Sequence, residues 1–580
     1  MEGCFLFGSQ ESSNPSSNFS QCLGSYPNNS DQIYSTNDQD YLYQDLIINI
    51  FDMENGKPSF TINRFDGKIL RESFPNDKFF TDKSDGNLII NYEIEPKVGG
   101  VDIVYTVYNP TNTVQEIPQF EISGFHQAFN GEICRLNPKD SGTMEPINLE
   151  NDSFGYIYPG VYSPVIVLHD EEDALGTSIQ FPLLEYKHDV NMVLKKITEG
   201  AQAGTWRHIY RKGNSYSYIP VHNSEEDTWE YRITVRFAEK RNWLLTLHPY
   251  KDFFNNIYEE FSVDSPPDLR PIYRRNVSSK GDFHEIENPR GYNDNLEIHI
   301  PEIGWQNFIL DVLQDMNTRG YERFVLWNPS GTYQNDNGCN FPPQFMDFLP
   351  HLAGEEEGGN DFYFNVFEPS GINLGFWWGR SAQIPFGYDG NGWNPAGCVD
   401  ASYQNQGNLN FLNGQLDQAL ARGAKTLGLD HFTNMPPWDK FLWVEDMMNR
   451  ASNQGTDILL VHEDSGADFF HSKMANWYNP DRWNRPVQFG PDLLSRYLNG
   501  PSEIWVIFKT DNFPYNQEIM QTHIRWGFTP VPTSNLDAFD ILSLDYTLVQ
   551  CFDGIDNDND GVTDFPYDLD CLSATDESEG

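Results

Sequence analysis

Two short apolar runs each end in a carboxylate: AKTLGL leads into Asp430, and DILLV leads into His462, Glu463 and Asp464. Asp430 and Glu463 stand 33 residues apart, with a helix-like stretch between them. In a barrel of alternating strands and helices, residues just past the strand ends line the mouth. Two acids on neighbouring strands at such a mouth can cleave a glycosidic bond, one attacking the anomeric carbon and the other protonating the leaving oxygen. A retaining reaction needs these carboxyls about 5–5.5 Å apart, with one of them in a less polar setting so that it holds its proton. Glu463 is the candidate acid and Asp430 the candidate nucleophile. Trp327, Trp377, Trp378, Arg380, Trp393 and Trp438 fall at or near strand ends, where aromatic faces and guanidinium donors can hold a sugar. His462 and Asp464 flank the candidate acid as substrate-binding candidates; His462 could orient a hydroxyl, and Asp464 also competes with Glu463 for the acid role.

Other chemistries have less behind them. Lys509 alone is weak ground for a Schiff-base enzyme. There is no HxH pair in the first strand of the second half, and no HExxH or zinc-type CxxC pattern. GxSxG is absent, and no GxGxxG or GxxxxGK[ST] follows a strand, so a serine hydrolase and a nucleotide-binding fold lack support.

The elements that must position the acids form a multidomain pattern. Residues 1–40 are rich in Ser, Asn, Gln and Gly and read as a flexible leader. Residues 41–262 carry short Ile, Val and Tyr runs such as DLIINIFDM, NLIINYEIEP and VDIVYTVYNP, separated by ENGK, SDGN and NPTN turns; this predicts an all-β sandwich. In residues 263–550 strands alternate with amphipathic helices. The strand candidates are LRPIYRRN, ERFVLWN, INLGFWWG, AKTLGLD, DILLVHE, EIWVIFK, HIRWGFTPV and DILSLDY, a count that suits an α/β (β/α)8 barrel of the TIM type. A doubly wound open sheet is the competing arrangement. One helix is expected to bury Phe308, Ile309, Val312, Leu313 and Met316 and to stop at Gly320.

Residues 551–580 form a separate acidic tail. Asp556, Asp558 and Asp560 followed by Gly561, with Asp564 at the ninth position, match the first part of an EF-hand calcium loop. The twelfth position is Tyr567, so Asp568 or Asp570 would have to close the shell. Cys551 and Cys571 flank the loop, and Cys4–Cys22 and Cys339–Cys398 are plausible pairs by proximity, leaving Cys134 over. The formal net charge of −47 argues against nucleic acid and anionic membranes as partners, and no apolar run is long enough to span a bilayer.

An Asp nucleophile after strand four with a Glu acid after strand five resembles the α-amylase superfamily. A β-sandwich ahead of a barrel with Asp after strand four resembles the α-galactosidase and α-glucosidase clans. In those clans the acid is an Asp after strand six, a role open here to Asp511. The chain departs from them at Gly428, where an Arg or Lys two residues before the nucleophile is common, and in lacking an Asp in RWGFTPVPTSN. The tail resembles the C-x-DGxDNDxDGxxDxPxDxxC modules of secreted microbial proteins, related in style to thrombospondin type-3 repeats. These resemblances imply a secreted or surface glycoside hydrolase of retaining mechanism, acting on α-linked glycan, with carbohydrate as partner and a structural calcium in the tail. The alternative is a non-catalytic glycan-binding or structural protein of a cell surface, fibre or virus-like particle, with self-assembly or surface attachment as its role.

Overall fold

The computed structural model describes residues 42–278, 293–294 and 305–548, with internal gaps, the largest at 182–188, 259–267, 328–366, 386–397, 479–493 and 509–515. The leader and the calcium-like tail lie outside the described residues. The chain divides into two compact units; Lys139–Ser141 and Tyr158–Ser163 belong to the second, and the chain finally passes into it inside the helix His248–Tyr258, between Asp252 and Phe253.

The first unit is built from two antiparallel sheets. One contains Leu46–Asp52, Pro58–Arg64, Ile69–Arg71, Gln119–Phe125, Trp206–Lys212, Val190–Lys196 and Ser153–Tyr158 in that spatial order. The other runs Thr143–Pro146, Cys134–Asn137, Val165–His169, Asp173–Gln180, Trp229–Glu239, Gly100–Tyr108 and Ile89–Lys97. Aromatic side chains join them face to face: Tyr105 meets Phe120 at 4.5 Å between ring centroids, and Phe120 meets Tyr231 at 5.2 Å. Polar groups cross the same interior, where Thr177 Oγ1 lies 2.7 Å from His208 Nδ1 and 2.8 Å from Tyr210 Oη. Asp173–Gln180 is buried along almost its whole length because its other face is covered too. There a Cβ on Gly176 would come within 2.1 Å of Thr246 in the 3-10 turn Lys240–Leu247. Cys134 is disulfide-bonded, so it is not the leftover thiol. Its partner must be one of the six cysteines that proximity pairs with one another, so those three pairs cannot all form.

The second unit holds eight parallel strands: β1 Ile272–Ser278, β2 Arg323–Trp327, β3 Asn373–Trp378, β4 Thr426–Leu429, β5 Leu459–Glu463, β6 Ala475–Tyr478, β7 Ile504–Phe508 and β8 Phe528–Pro532. A short strand, Asn293–Asp294, pairs antiparallel to β1. Helices α1 Trp305–Arg319, α2 Gln406–Ala421, α3 Pro437–Asn453, α4 Asp468–His471 and α5 Gln517–Arg525 lie between strands in sequence. α1 buries Ile309, Val312, Leu313 and Met316, the face its spacing calls for, and ends at Gly320 with φ 83°. Asn405 caps α2 by accepting from the amides of Gly407 and Asn408.

Two of the expected strands need correction. DILSLDY forms no strand; it makes a 3-10 turn, Ile541–Ser543, with Leu542 exposed against Gly320. The missing member is ANWY, four residues long and hidden from a search for apolar runs by Asn476. EIWVIFK is therefore the seventh strand and not the sixth.

Alternate residues of the strands pack into one interior cluster of Ile272, Val325, Trp377, Val461, Ala475, Trp505, Ile507 and Val531. β1 and β8 lie beside each other, and Thr529 Oγ1 donates to the Asp268 carbonyl across their seam at 2.9 Å. No ladder joins those two strands among the described residues, so a hydrogen-bonded closed barrel is not shown. At the strand starts Arg323 donates to Glu503 at 2.5 Å and to the Asp268 carbonyl at 2.7 Å, while Trp505 Nε1 donates to Glu503 at 2.6 Å. This buried ion pair fills the end of the interior opposite the strand C-termini.

Candidate active site

The strand register sets two acids side by side. β4 pairs with β5 through Gly428↔Val461 and Leu429↔His462, so the next position of each strand is Asp430 and Glu463. Residues two apart on a strand share a face. Asp430 stands two residues after Gly428, and Glu463 two after Val461 of the interior cluster. Ladder bonding continues through Asp430, whose amide donates to the Trp378 carbonyl at 3.0 Å. Its own carbonyl accepts from the Ser381 amide and the Ser381 hydroxyl, both at 3.0 Å. Asp430 is half-buried at the end of a wholly buried strand.

Gly428 explains the departure from the basic residue common at this position. A Cβ there would stand 1.9 Å from Cε3 of Trp377, whose ring lies against the β4 backbone. Trp377 is fully buried beneath the Asp430 level, so it is interior packing and offers no face to a sugar. Trp378, one residue on, faces the other way and meets Trp443 of α3 edge to face at 5.5 Å. It too is buried, which corrects its place among the sugar-binding candidates. His462 alternates with Val461 and stacks on Phe470 at 5.4 Å, 2 % exposed, so it packs behind the strand instead of orienting a hydroxyl.

Of the remaining candidates, Trp327 closes β2 and is paired in register with Asn276 and Trp377, and Trp438 is the second residue of α3. Arg380, Trp393, Asp464, Asp511, Asp556, Asp558, Asp560, Asp564 and Asp568 lie outside the described residues. The strand order removes the reason for choosing Asp511, because it follows the seventh strand. The first acid after the sixth strand is Asp481, three residues beyond Tyr478 in sequence. Among the described residues no group of three His, Cys, Asp or Glu could hold a metal ion.

One residue on the interior face escapes a reading by apolar runs. Arg274 stands two positions after Ile272 on β1, and burial pushes its guanidinium down to about 9. A basic side chain breaking the alternation in LRPIYRRN was the available signal. A positive group in a low-dielectric strand interior can bind sugar hydroxyls or steady nearby carboxylates.

No described helix is long and apolar enough to cross a membrane. No protein-family model matches the chain. No curated protein matches it. Among solved structures it is similar to an α-N-acetylgalactosaminidase from Bifidobacterium bifidum in complex with GalNAc, at 12 % identity over 90 % of each chain, with a TM-score of 0.49. It is also similar to an α-galactosidase from Thermus thermophilus in complex with stachyose, at 12 % identity over 78 % of this chain and 94 % of that one, with a TM-score of 0.40. A third is a maltogenic α-amylase from Thermotoga neapolitana, at 10 % identity over 48 % of this chain and 71 % of that one, with a TM-score of 0.28. These three solved structures are glycosidases, and likenesses at such TM-scores carry no weight in assigning a reaction to this chain.

Proposed function

We propose that the chain is a glycoside hydrolase that acts on α-linked glycan with retention of configuration. The observation that supports this is the register of β4 and β5, in which Asp430 and Glu463 occupy equivalent positions at neighbouring strand ends. Adjacent strands are about 4.8 Å apart, close to the ~5–5.5 Å carboxyl separation of retaining enzymes. Asp430 attacks the anomeric carbon and forms a glycosyl ester. Glu463 protonates the leaving oxygen and then, as its carboxylate, draws a proton from the water that releases the sugar. Asp481 is the second choice of acid, in place of Asp511, because it follows the sixth strand. The tail at Asp556–Asp568 is proposed to hold a structural calcium, and the protein to work outside the cell.

The test uses p-nitrophenyl α-galactoside, α-N-acetylgalactosaminide and α-glucoside with wild type, Asp430→Asn, Glu463→Gln and Asp481→Asn. Asp430→Asn is expected to abolish turnover, and loss of the acid to cost about 10²–10⁴-fold, with the unfolding midpoint retained. Full activity in Asp430→Asn would refute the assignment. A wild type inert on all three glycosides, and on a wider glycan panel, would favour a binding or scaffold protein instead.

A further inference from the structure

We propose that Ser381 is a positioning residue that fixes the Asp430 strand end for catalysis; this rests on the reading of Asp430 as nucleophile. The Asp430 amide is spent on the Trp378 carbonyl, and the Asp430 carbonyl receives two bonds from one residue, Ser381, through its amide and its hydroxyl. In a regular parallel ladder the second donor would come from two residues after the first acceptor. Here it comes from three residues after, so the β3 side carries an extra residue, a device that re-aims neighbouring side chains. Ser381 is fully buried, which holds its hydroxyl on this one carbonyl.

The clamp also supports the segment after it. Ala382, next in the chain, accepts from the Ala401 amide at 2.7 Å and is fully buried. From there the chain enters the two-stranded ribbon Gln383–Pro385 with Cys398–Asp400. The segment between those two strands contains Trp393, a candidate sugar contact. Ser381 thus joins the backbone of the candidate nucleophile to the root of a ribbon excursion. A strand end held from both sides keeps its carboxylate in one place, and a displacement of about 1 Å at a reacting group can cost up to ~10²-fold in rate.

The experiment measures kcat and KM on the aryl α-glycosides for wild type, Ser381→Ala, Ser381→Thr and a control, Ser370→Ala. The control removes a serine bond to the Phe367 carbonyl, 2.6 Å long, in the turn preceding β3. Ser381→Ala is expected to lower kcat about ten- to a hundredfold with KM within threefold of wild type. Ser381→Thr, which keeps the hydroxyl, should recover most of kcat, and Ser370→Ala should leave it unchanged. An active wild type with kcat of Ser381→Ala within twofold overturns the inference alone, as does a change confined to KM. An equal fall in kcat for Ser370→Ala overturns it by pointing to general loosening. If Ser381→Ala does not fold, Ser381→Gly, which also removes the hydroxyl, is read by the same thresholds. A wild type inert on these glycosides and on the wider glycan panel removes the nucleophile assignment, and this inference is overturned with it.

Discussion

Replacing Gly428 by Ala is the smallest change that tests the interior of the second unit. In an ordinary strand it should help, since Gly in an element interior costs roughly 0.5–1 kcal/mol relative to Ala. Here the added Cβ would stand 1.9 Å from Trp377 Cε3 and 2.4 Å from Cζ3, where ordinary contact begins at 3.4 Å. The indole would have to retreat by about 1.5 Å, and it is enclosed in a cluster with Val461, Ala475 and Trp505. Overpacking of this kind costs about 1–3 kcal/mol, and so tight an overlap belongs at the upper end, near 3 kcal/mol. Urea unfolding of the full chain, followed by tryptophan fluorescence, should show the second unit's midpoint lowered in Gly428→Ala. Trp377→Leu destabilises by itself through the lost volume, but in that background the further change Gly428→Ala should cost little. The coupling energy should then be about 1 kcal/mol or more. A Gly428→Ala protein as stable as wild type, or more stable, would refute the packing argument.

Three other outcomes follow from the structure. Glu503→Gln leaves Arg323 buried without its carboxylate and should cost about 3–5 kcal/mol in denaturant unfolding, whereas Arg323→Met with Glu503→Leu should come close to neutral. Desolvation pushes His208 and His523 down to about 3, so the unfolded chain takes up protons on them below about pH 6.5 that the folded chain refuses. Their contribution is complete above that pH and is lost as the pH falls from 6.5 toward 3, at up to ~1.4 kcal/mol per pH unit for each; His208→Gln should flatten the first unit's acid dependence by one proton. Calorimetric titration of the full chain with Ca²⁺ should show binding that Asp556→Ala together with Asp560→Ala removes; unchanged binding in that variant would sink the tail assignment.

The order of β and α/β regions was legible because the two periods differ: Val101, Ile103 and Tyr105 alternate, while Ile309, Val312 and Met316 follow a helical stripe, and both sets are buried. The place of Asp430 and Glu463 at neighbouring strand ends was legible for the same reason, since each closes an apolar run. What misled was reliance on apolar runs alone. Four residues of β6 with an Asn among them gave too little signal, and Leu542 and Leu544 made a 3-10 turn look like a strand. Tryptophans near strand ends could not be sorted without register. Trp377 and Trp378 are one residue apart and face opposite sides, and neither reaches solvent. The need for glycine at 428 is not legible in the sequence, because it comes from the Trp377 ring of the neighbouring strand.

The seam between β1 and β8 has a consequence for synthesis on the ribosome. The Thr529–Asp268 bond joins residues 261 positions apart. At about 5–20 residues per second, roughly 13–50 s separate the emergence of the two sides. Throughout that interval Ile272–Asn276 of β1 pairs with β2 on one side, while Asn293–Asp294 covers only Val277 and Ser278 of its outer edge. That edge carries Arg274 and Arg275, and charged side chains discourage a waiting edge from zipping onto a stray chain. Arg274, on the interior face of the finished unit, would then also guard the nascent chain.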